Sequence, residues 1–469
     1  MKNKYMKKIM FSVVFTVLIL CGYAQSNYSK DRVYTANQVS NTVSVIDPST
    51  DQLVGEISLG KPYPNVLSPL YRGQSLVHGL RYSAKRKMLA VVAIGSNSLT
   101  LISTENNKIL KTIYLGRAPH EPTFTPDSKQ VWVSVRGEAY VSVVDVAQMK
   151  EIKQIPVADG PGMISFSPDG KIAYVCSSFT PEVDIVDAKS YKILKRIPVV
   201  SPFSPNIFTS PKGDWVALTH KDVGVVTVIN TKTQTVAKVI NTGAITNHVT
   251  FCNTDNKLLM LVTVGGENKV RIFDVADDFK QIDTINVDAM PHGIWPSPDG
   301  KQLYVGLEFS DEVQHINLQT MKVVATVKIG QSPQALVYAD NAVTNSTGKA
   351  GLTPFNDTAP TEVVDMQPIN QTTTVSGRLA IRTIGLIDLV EQLFKGLKSN
   401  TSYSLFLSKS DAAPYNEDFE IDNFQTDAHG KYAGQTTGLV KKISADADSN
   451  TYKHIVLTEN GTKQVVMIH

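Results

Sequence analysis

Cysteine is scarce, and so is any imbalance of charge. Three cysteines occur in 469 residues. Cys21 falls in a leader-like stretch, and Cys176 and Cys252 sit in repeat units with another unit between them. A disulfide framework is therefore not expected. The two later thiols read as free and buried, so stability must come from core burial. Lys and Arg number 46 against 43 Asp and Glu. Four of the lysines (Lys2, Lys4, Lys7 and Lys8) lie at the very start, and without them the balance is 42 against 43. No basic field remains to attract nucleic acid. Cys-x-x-Cys-His is missing, which excludes covalent c-type haem. Also missing are Gly-x-Ser-x-Gly, a phosphate loop and His-Glu-x-x-His. No catalytic residue can be named on motif grounds. The longest apolar run, Ile9 to Cys21, is short for a membrane span.

What that run offers instead is an address. It follows the four lysines and precedes Gly22-Tyr23-Ala24, with small residues where a signal peptidase reads. Residues 1–24 are expected to be a signal peptide, giving a secreted or periplasmic product without a membrane span after cleavage. A lipoprotein anchored through Cys21 is the alternative, although Leu20 stands where such signals carry a small residue. Residues 25–31 form a short N-terminal segment.

The body of the chain is a repeat. Val43 to Asp47, Leu99 to Ser103, Val141 to Asp145, Val183 to Asp187, Val226 to Asn230, Val270 to Asp274 and Val313 to Asn317 are seven versions of one apolar, β-branched run. Their last residues are 56, 42, 42, 43, 44 and 43 positions apart. Within each unit four such runs are closed by turn chemistry, including Ser167-Pro168-Asp169-Gly170 and Ser297-Pro298-Asp299-Gly300. A period near 43 with four strands per unit predicts an all-β, seven-bladed β-propeller over residues 32–340. The first unit lacks its first strand, while Gln334 to Tyr338 resembles a first strand without followers. Joining the two closes the ring. The longer first interval is an inserted loop at Lys61 to Val77, a candidate contact surface. Asp47, Asp145, Asp187 and Asp274 recur with the repeat and read as turn caps.

The combination of Ser-Pro-Asp-Gly, Tyr34-Thr35-Ala36-Asn37 and Val43 to Asp47 resembles the YVTN family of β-propeller repeat proteins. The resemblance covers Arg32 to about Asp340. It implies the fold strongly and the function weakly, since similar proteins include surface-layer-type proteins, lactonase-like hydrolases and haem-binding propellers. Residues 341–371, rich in Thr, Asn, Pro and Gly, read as a linker. Residues 372–469 are expected to form a small β-sandwich, with strands at Val375 to Ile384, Tyr403 to Leu407, Phe419 to Phe424, His454 to Leu457 and Gln464 to Ile468. Leu386 to Leu397 has helical spacing but is assigned as a strand. This region loosely resembles immunoglobulin-like or prealbumin-like modules of secreted bacterial proteins.

Histidine is the feature the repeat does not require. Six residues before the proline position of each turn stand His78, His120, His248 and His292, at the start of the innermost strand and hence at the channel mouth. Imidazoles converging there are candidate ligands for a divalent transition metal. Equally, a histidine at a strand start can simply hydrogen-bond the next blade. Glu121, Arg136, His220 and Glu308 are candidate ligand-binding residues around them. His315 reads as a paired histidine between blades. The expected role is a secreted or periplasmic binding or scaffold protein that holds a small-molecule or protein partner on a propeller face. Alternatives are a metal-dependent enzyme, hydrolytic or redox, and a surface-layer or adhesion protein.

Overall fold

The computed structural model describes residues 28–60, 75–344, 346–356, 361–370, 374–384, 387–438, 440 and 452–469. The leader and most of the Lys61 to Val77 insertion lie outside the described residues. Seven four-stranded antiparallel sheets succeed one another from Arg32 to Ala339. They form a seven-bladed β-propeller. Blade 1 is assembled from both ends of this region: its inner strand is Pro333–Ala339, paired to Arg32–Asn37. The inner strands of blades 2 to 7 are Val77–Ser83, Pro119–Phe124, Pro161–Phe166, Ile207–Thr209, Thr246–Asn253 and Pro291–Pro296.

Local chemistry explains each blade. The second and third strands are buried on both faces between neighbouring blades, which is why they read as continuous Val, Ile and Leu rather than alternating. The outermost strand faces water, and in blades 1, 3 and 4 it keeps a buried isoleucine near its end: Ile57, Ile155 and Ile197. In every blade the register shifts by a bulge between third and fourth strands, as at Val143/Val144 and His315/Ile316. Each bulge adds the twist that lets flat units pack radially. The hairpin turns work as expected. Ser167 Oγ donates to Asp169 at 2.7 Å, and Gly170 takes a φ of +70° that only glycine adopts freely. Asp47, Asp145, Asp187 and Asp274 accept backbone N–H bonds two or three residues ahead. Cys176 and Cys252 are free and buried.

The C-terminal module is one eight-stranded antiparallel sheet whose two edge strands, Phe419–Gln425 and Tyr432–Gly438, come to lie against each other. The curled sheet encloses its own core, in which Phe424 stacks on Tyr432 at 4.0 Å and on Phe394 at 5.1 Å. Ile387–Lys395 is a strand, as assigned against its helical spacing. Two strands escaped the sequence reading. Tyr432–Gly438 has little apolar content, and Glu362–Pro368 lies inside the segment read as linker. That segment is also tied to the propeller: Thr104 donates to the Ala342 carbonyl, Asn107 to Gly348 and Ala350, and Thr353 pairs with Glu56. Polar residues were read there as a sign of loop, but here they satisfy blades 1 and 2.

The module docks on the propeller over blades 6 and 7. Ile245, Met290 and Phe309 of the propeller pack with Ala380 and Leu393 of the module. Arg382, fully buried, donates to Asp311 at 2.8 Å and to the Glu308 carbonyl at 2.5 Å, and pairs with Glu391.

Candidate functional site

The site is built from the starts of the inner strands. Leu76, Ala118 and Met290 each adopt a left-handed φ of 50° to 59°. Their N–H groups are held by Asn41, Asn97 and Asn268, which sit in the turn of the preceding blade. This Asn-to-backbone bond fixes how each chain re-enters the ring. Two residues later come His78, His120 and His292. His120 Nδ1 donates to the Gly162 carbonyl at 2.8 Å and His292 Nδ1 to the Gln334 carbonyl at 2.5 Å. Gly162 and Gln334 occupy the equivalent place in the next blade, so the histidine is indeed part of the blade-to-blade bonding.

That bond has a chemical consequence. A carbonyl only accepts, so Nδ1 carries the proton and the neutral ring presents a lone pair at Nε2. Neither Nε2 has a protein partner among the described residues. The His78 Nδ1 is buried without a hydrogen bond of good geometry, and the His120 backbone acts on the ring as a weaker partner. Gly79 follows His78 because a Cβ there would lie 2.4 Å from the His120 carbonyl oxygen. The strands therefore approach closely, and the His78 and His120 rings stand 4.3 Å apart.

His248 joins the group from a different place. Thr246 and Val249 pair with the second strand as Pro291 and Ile294 do in blade 7. Asn247 is thus the equivalent of His292, and His248 is the next residue inward, level with Glu121. The count from the turn misplaced it because the blade 6 hairpin is two residues longer: Phe251 pairs with Met260 where Pro296 pairs with Leu303. His248 still meets its neighbour, with ring centroids 4.8 Å from those of His292.

All four imidazoles are buried. Burial lowers the His78 pKa to about 3 and holds those of His120, His248 and His292 well below the usual range. Nearby Arg136 and Lys221 push in the same direction on His78. The rings are neutral at neutral pH. Arg136, Lys221 and Glu308 stand in one column of the repeat, each immediately after a second strand. Arg136 lies over the Phe203 and Phe179 rings at 5.2 and 5.7 Å. Burial lowers the pKa values of Arg136 and Lys221. Glu308 accepts from Gln334 Nε2 at 3.0 Å. Sequence reasoning named Arg136 and Glu308 and missed Lys221, although its place in the same column was readable.

Beneath this tier Glu121 pairs with Arg81 at 3.3 Å, both buried. Burial raises the Glu121 pKa to about 7 against the opposing pull of Arg81. The Arg81 guanidinium lies 5.0 Å from the Trp295 ring and 5.4 Å from that of Phe208. Arg81 was also missed, since nothing in the repeat marks an inner-strand arginine as reaching across the channel. His220, expected at the mouth, is instead committed within blade 5. Its Nδ1 meets Ser204 Oγ at 2.9 Å and its Nε2 meets Thr227 Oγ1 at 2.7 Å. It replaces the Asn37 of blade 1, which bonds Thr42 and Ser44 across the same strands. His315 pairs with Asp51 of the neighbouring blade at 2.9 Å. Among the described residues no three His, Cys, Asp or Glu side chains are gathered closely enough to hold a metal ion.

The mouth is partly roofed. A cavity of about 260 Å³ lies between Lys221, Met290 and Glu308 of the propeller and Glu391, Gln392 and Gln435 of the module. Toward blades 4 and 5 the rim is open, with Phe179, Val200 and Val223 exposed.

A family model described as a YNCE-like beta-propeller matches residues 72–216. With the seven blades, this agrees with the YVTN-type likeness. No curated protein matches the chain. Among solved structures, a functionally unknown protein from Desulfotomaculum acetoxidans DSM 771 is similar at 13% identity and a TM-score of 0.56, over 66% of this chain and 99% of that one. The hydrazine synthase of Kuenenia stuttgartiensis is similar at 21% identity and a TM-score of 0.52, over 57% of this chain and 90% of that one. At these identities the likeness is one of fold. No helix among the described residues is long and apolar enough to cross a membrane.

Proposed function

We propose that the chain is an exported binding protein that holds a small ligand at the propeller mouth, beneath the C-terminal module. The observation that carries this reading is the roofed cavity of about 260 Å³, lined by charged and amide side chains from both parts of the chain. Its Lys221 acts electrostatically on the buried imidazoles of His78, His248 and His292. Small-molecule sites favour such concave junctions with a few convergent polar groups. Export is supported by the leader-like residues 1–24.

The test uses the mature protein and Ala433→Trp, which places an indole in the cavity from the module side. Both are equilibrated with a small-molecule extract of cells, washed, heated, and the released compounds identified by mass spectrometry. Compounds retained by the wild type and lost in the variant are expected. Retention by neither, or equally by both, overturns the reading.

A second reading, a metal ion held by His78, His120, His248 and His292, requires these side chains to move closer together than they stand, and one observation favours it. The Nδ1–H bonds of His120 and His292 to backbone carbonyls are the outer-shell arrangement that orients metal-binding imidazoles. Elemental analysis of protein purified without a His tag, after adding metal back, decides it. Stoichiometric metal lost in His120→Ala/His292→Ala supports the site, and substoichiometric metal in both removes it.

A further inference from the structure

Arg136 and Lys221 are the residues the site does not yet account for. Both are partly withdrawn from water at the mouth. Neither has a carboxylate within ion-pairing distance or a side-chain hydrogen bond among the described residues; Glu308 acts on Lys221 only from farther off, and Arg136 lies over the Phe203 and Phe179 rings. Elsewhere the chain pairs its buried cations: Arg81 with Glu121, Arg382 with Asp311 and Glu391. Desolvated positive charge without a counter-charge is unfavourable unless something else supplies one. The imidazoles facing these cations are of the opposite character. The His120 and His292 Nε2 atoms present lone pairs, and Glu308 presents a carboxylate. These groups accept hydrogen bonds and repel a bare anion.

We propose that the mouth binds a small anion that also carries hydroxyl or amine donors. Its carboxylate or phosphate sits against Arg136 and Lys221, and its donors meet the His120 and His292 Nε2 atoms and Glu308. This rests on the mouth being a ligand site and specifies what it takes. The open rim at blades 4 and 5 gives the route in.

Calorimetry on the mature protein with five probes tests it. Malate and glucose 6-phosphate carry charge and hydroxyls. Succinate and inorganic phosphate carry the charge without the polyol, and glucose the hydroxyls alone. Malate is expected to bind about tenfold or more tighter than succinate, or glucose 6-phosphate by the same margin over inorganic phosphate and glucose. Which pair shows the margin separates a carboxylate ligand from a phosphate ligand. Arg136→Gln and Lys221→Gln should each lower that affinity about tenfold while leaving the near-ultraviolet dichroism unchanged. Glucose binding as well as glucose 6-phosphate, or either variant binding like the wild type, overturns the proposal. So does silence of all charged probes at millimolar concentration. If Ala433→Trp still loses retained compounds and these are uncharged, the mouth remains a site and only its anionic chemistry is wrong.

Discussion

Arg382 and the pair Arg136 and Lys221 are cations withdrawn from water at the same end of the molecule, and the fold treats them oppositely. Arg382 is fully buried between Asp311 and Glu391 and bonds the Glu308 carbonyl as well. Its charge is more than matched, and it joins two parts of the chain. Arg136 and Lys221 have no carboxylate within ion-pairing distance among the described residues, Glu308 acting on Lys221 only from farther off, and both keep partial access to solvent. A matched buried charge holds structure in place. An unmatched one keeps interaction free energy available for something that arrives later.

The comparison breaks most visibly at Arg382. Arg382→Ala leaves Asp311 and Glu391 buried without their cation and should cost about 3–5 kcal/mol. The expected readout is loss of the module's docking, seen as faster proteolysis near Glu362–Pro368 and a lower melting temperature. A variant as stable and protease-resistant as the wild type would show that the apolar contact of Met290 and Phe309 with Leu393 suffices alone.

Glu121 offers an intermediate case, matched but strained by burial. Its folded pKa of about 7 lies above that of an ordinary glutamate, so burial favours the protonated form. The associated stability is fully present below about pH 4.5 and is lost as pH rises through 7. Relative to Glu121→Gln, which does not titrate, the wild type should lose on the order of 3 kcal/mol across that window and then level off. Denaturant midpoints measured from pH 4.5 to 8 check this, and a constant difference would mean Glu121 is ionised throughout.

The smallest effect is expected at Lys221. Lys221→Met removes a desolvated, unmatched charge and should stabilise the fold by about 1 kcal/mol while weakening ligand retention. Stability gained without loss of retention would make Lys221 an incidental cation and overturn the two-cation anion site.

Most of the propeller was legible because its signals are local. Turn residues, β-branched runs and a period near 43 act within one blade, and the missing first strand of blade 1 announced its own closure. The candidate site was half legible. His78, His120 and His292 follow from their offset to the turn. His248 was named by the same offset but placed one position off, because two extra residues in its hairpin shift the turn while leaving the strand pairing intact. His220 was misread for another reason. A histidine at an Asn position looks free in sequence, and only the neighbouring Ser204 and Thr227 hydroxyls show both nitrogens used.

The sequence by itself determined seven units, their turns, their buried strands and which residue types stand at the mouth, since these depend on periodicity and backbone conformation. Only the tertiary structure decided which charges are matched. Arg382 and Asp311 are 71 residues apart, and Arg81 meets aromatic rings from Phe208 and Trp295 across the channel. Charge compensation depends on distance in space and on burial, and a repeat pattern encodes neither for residues brought together by closing a ring and docking a module on it.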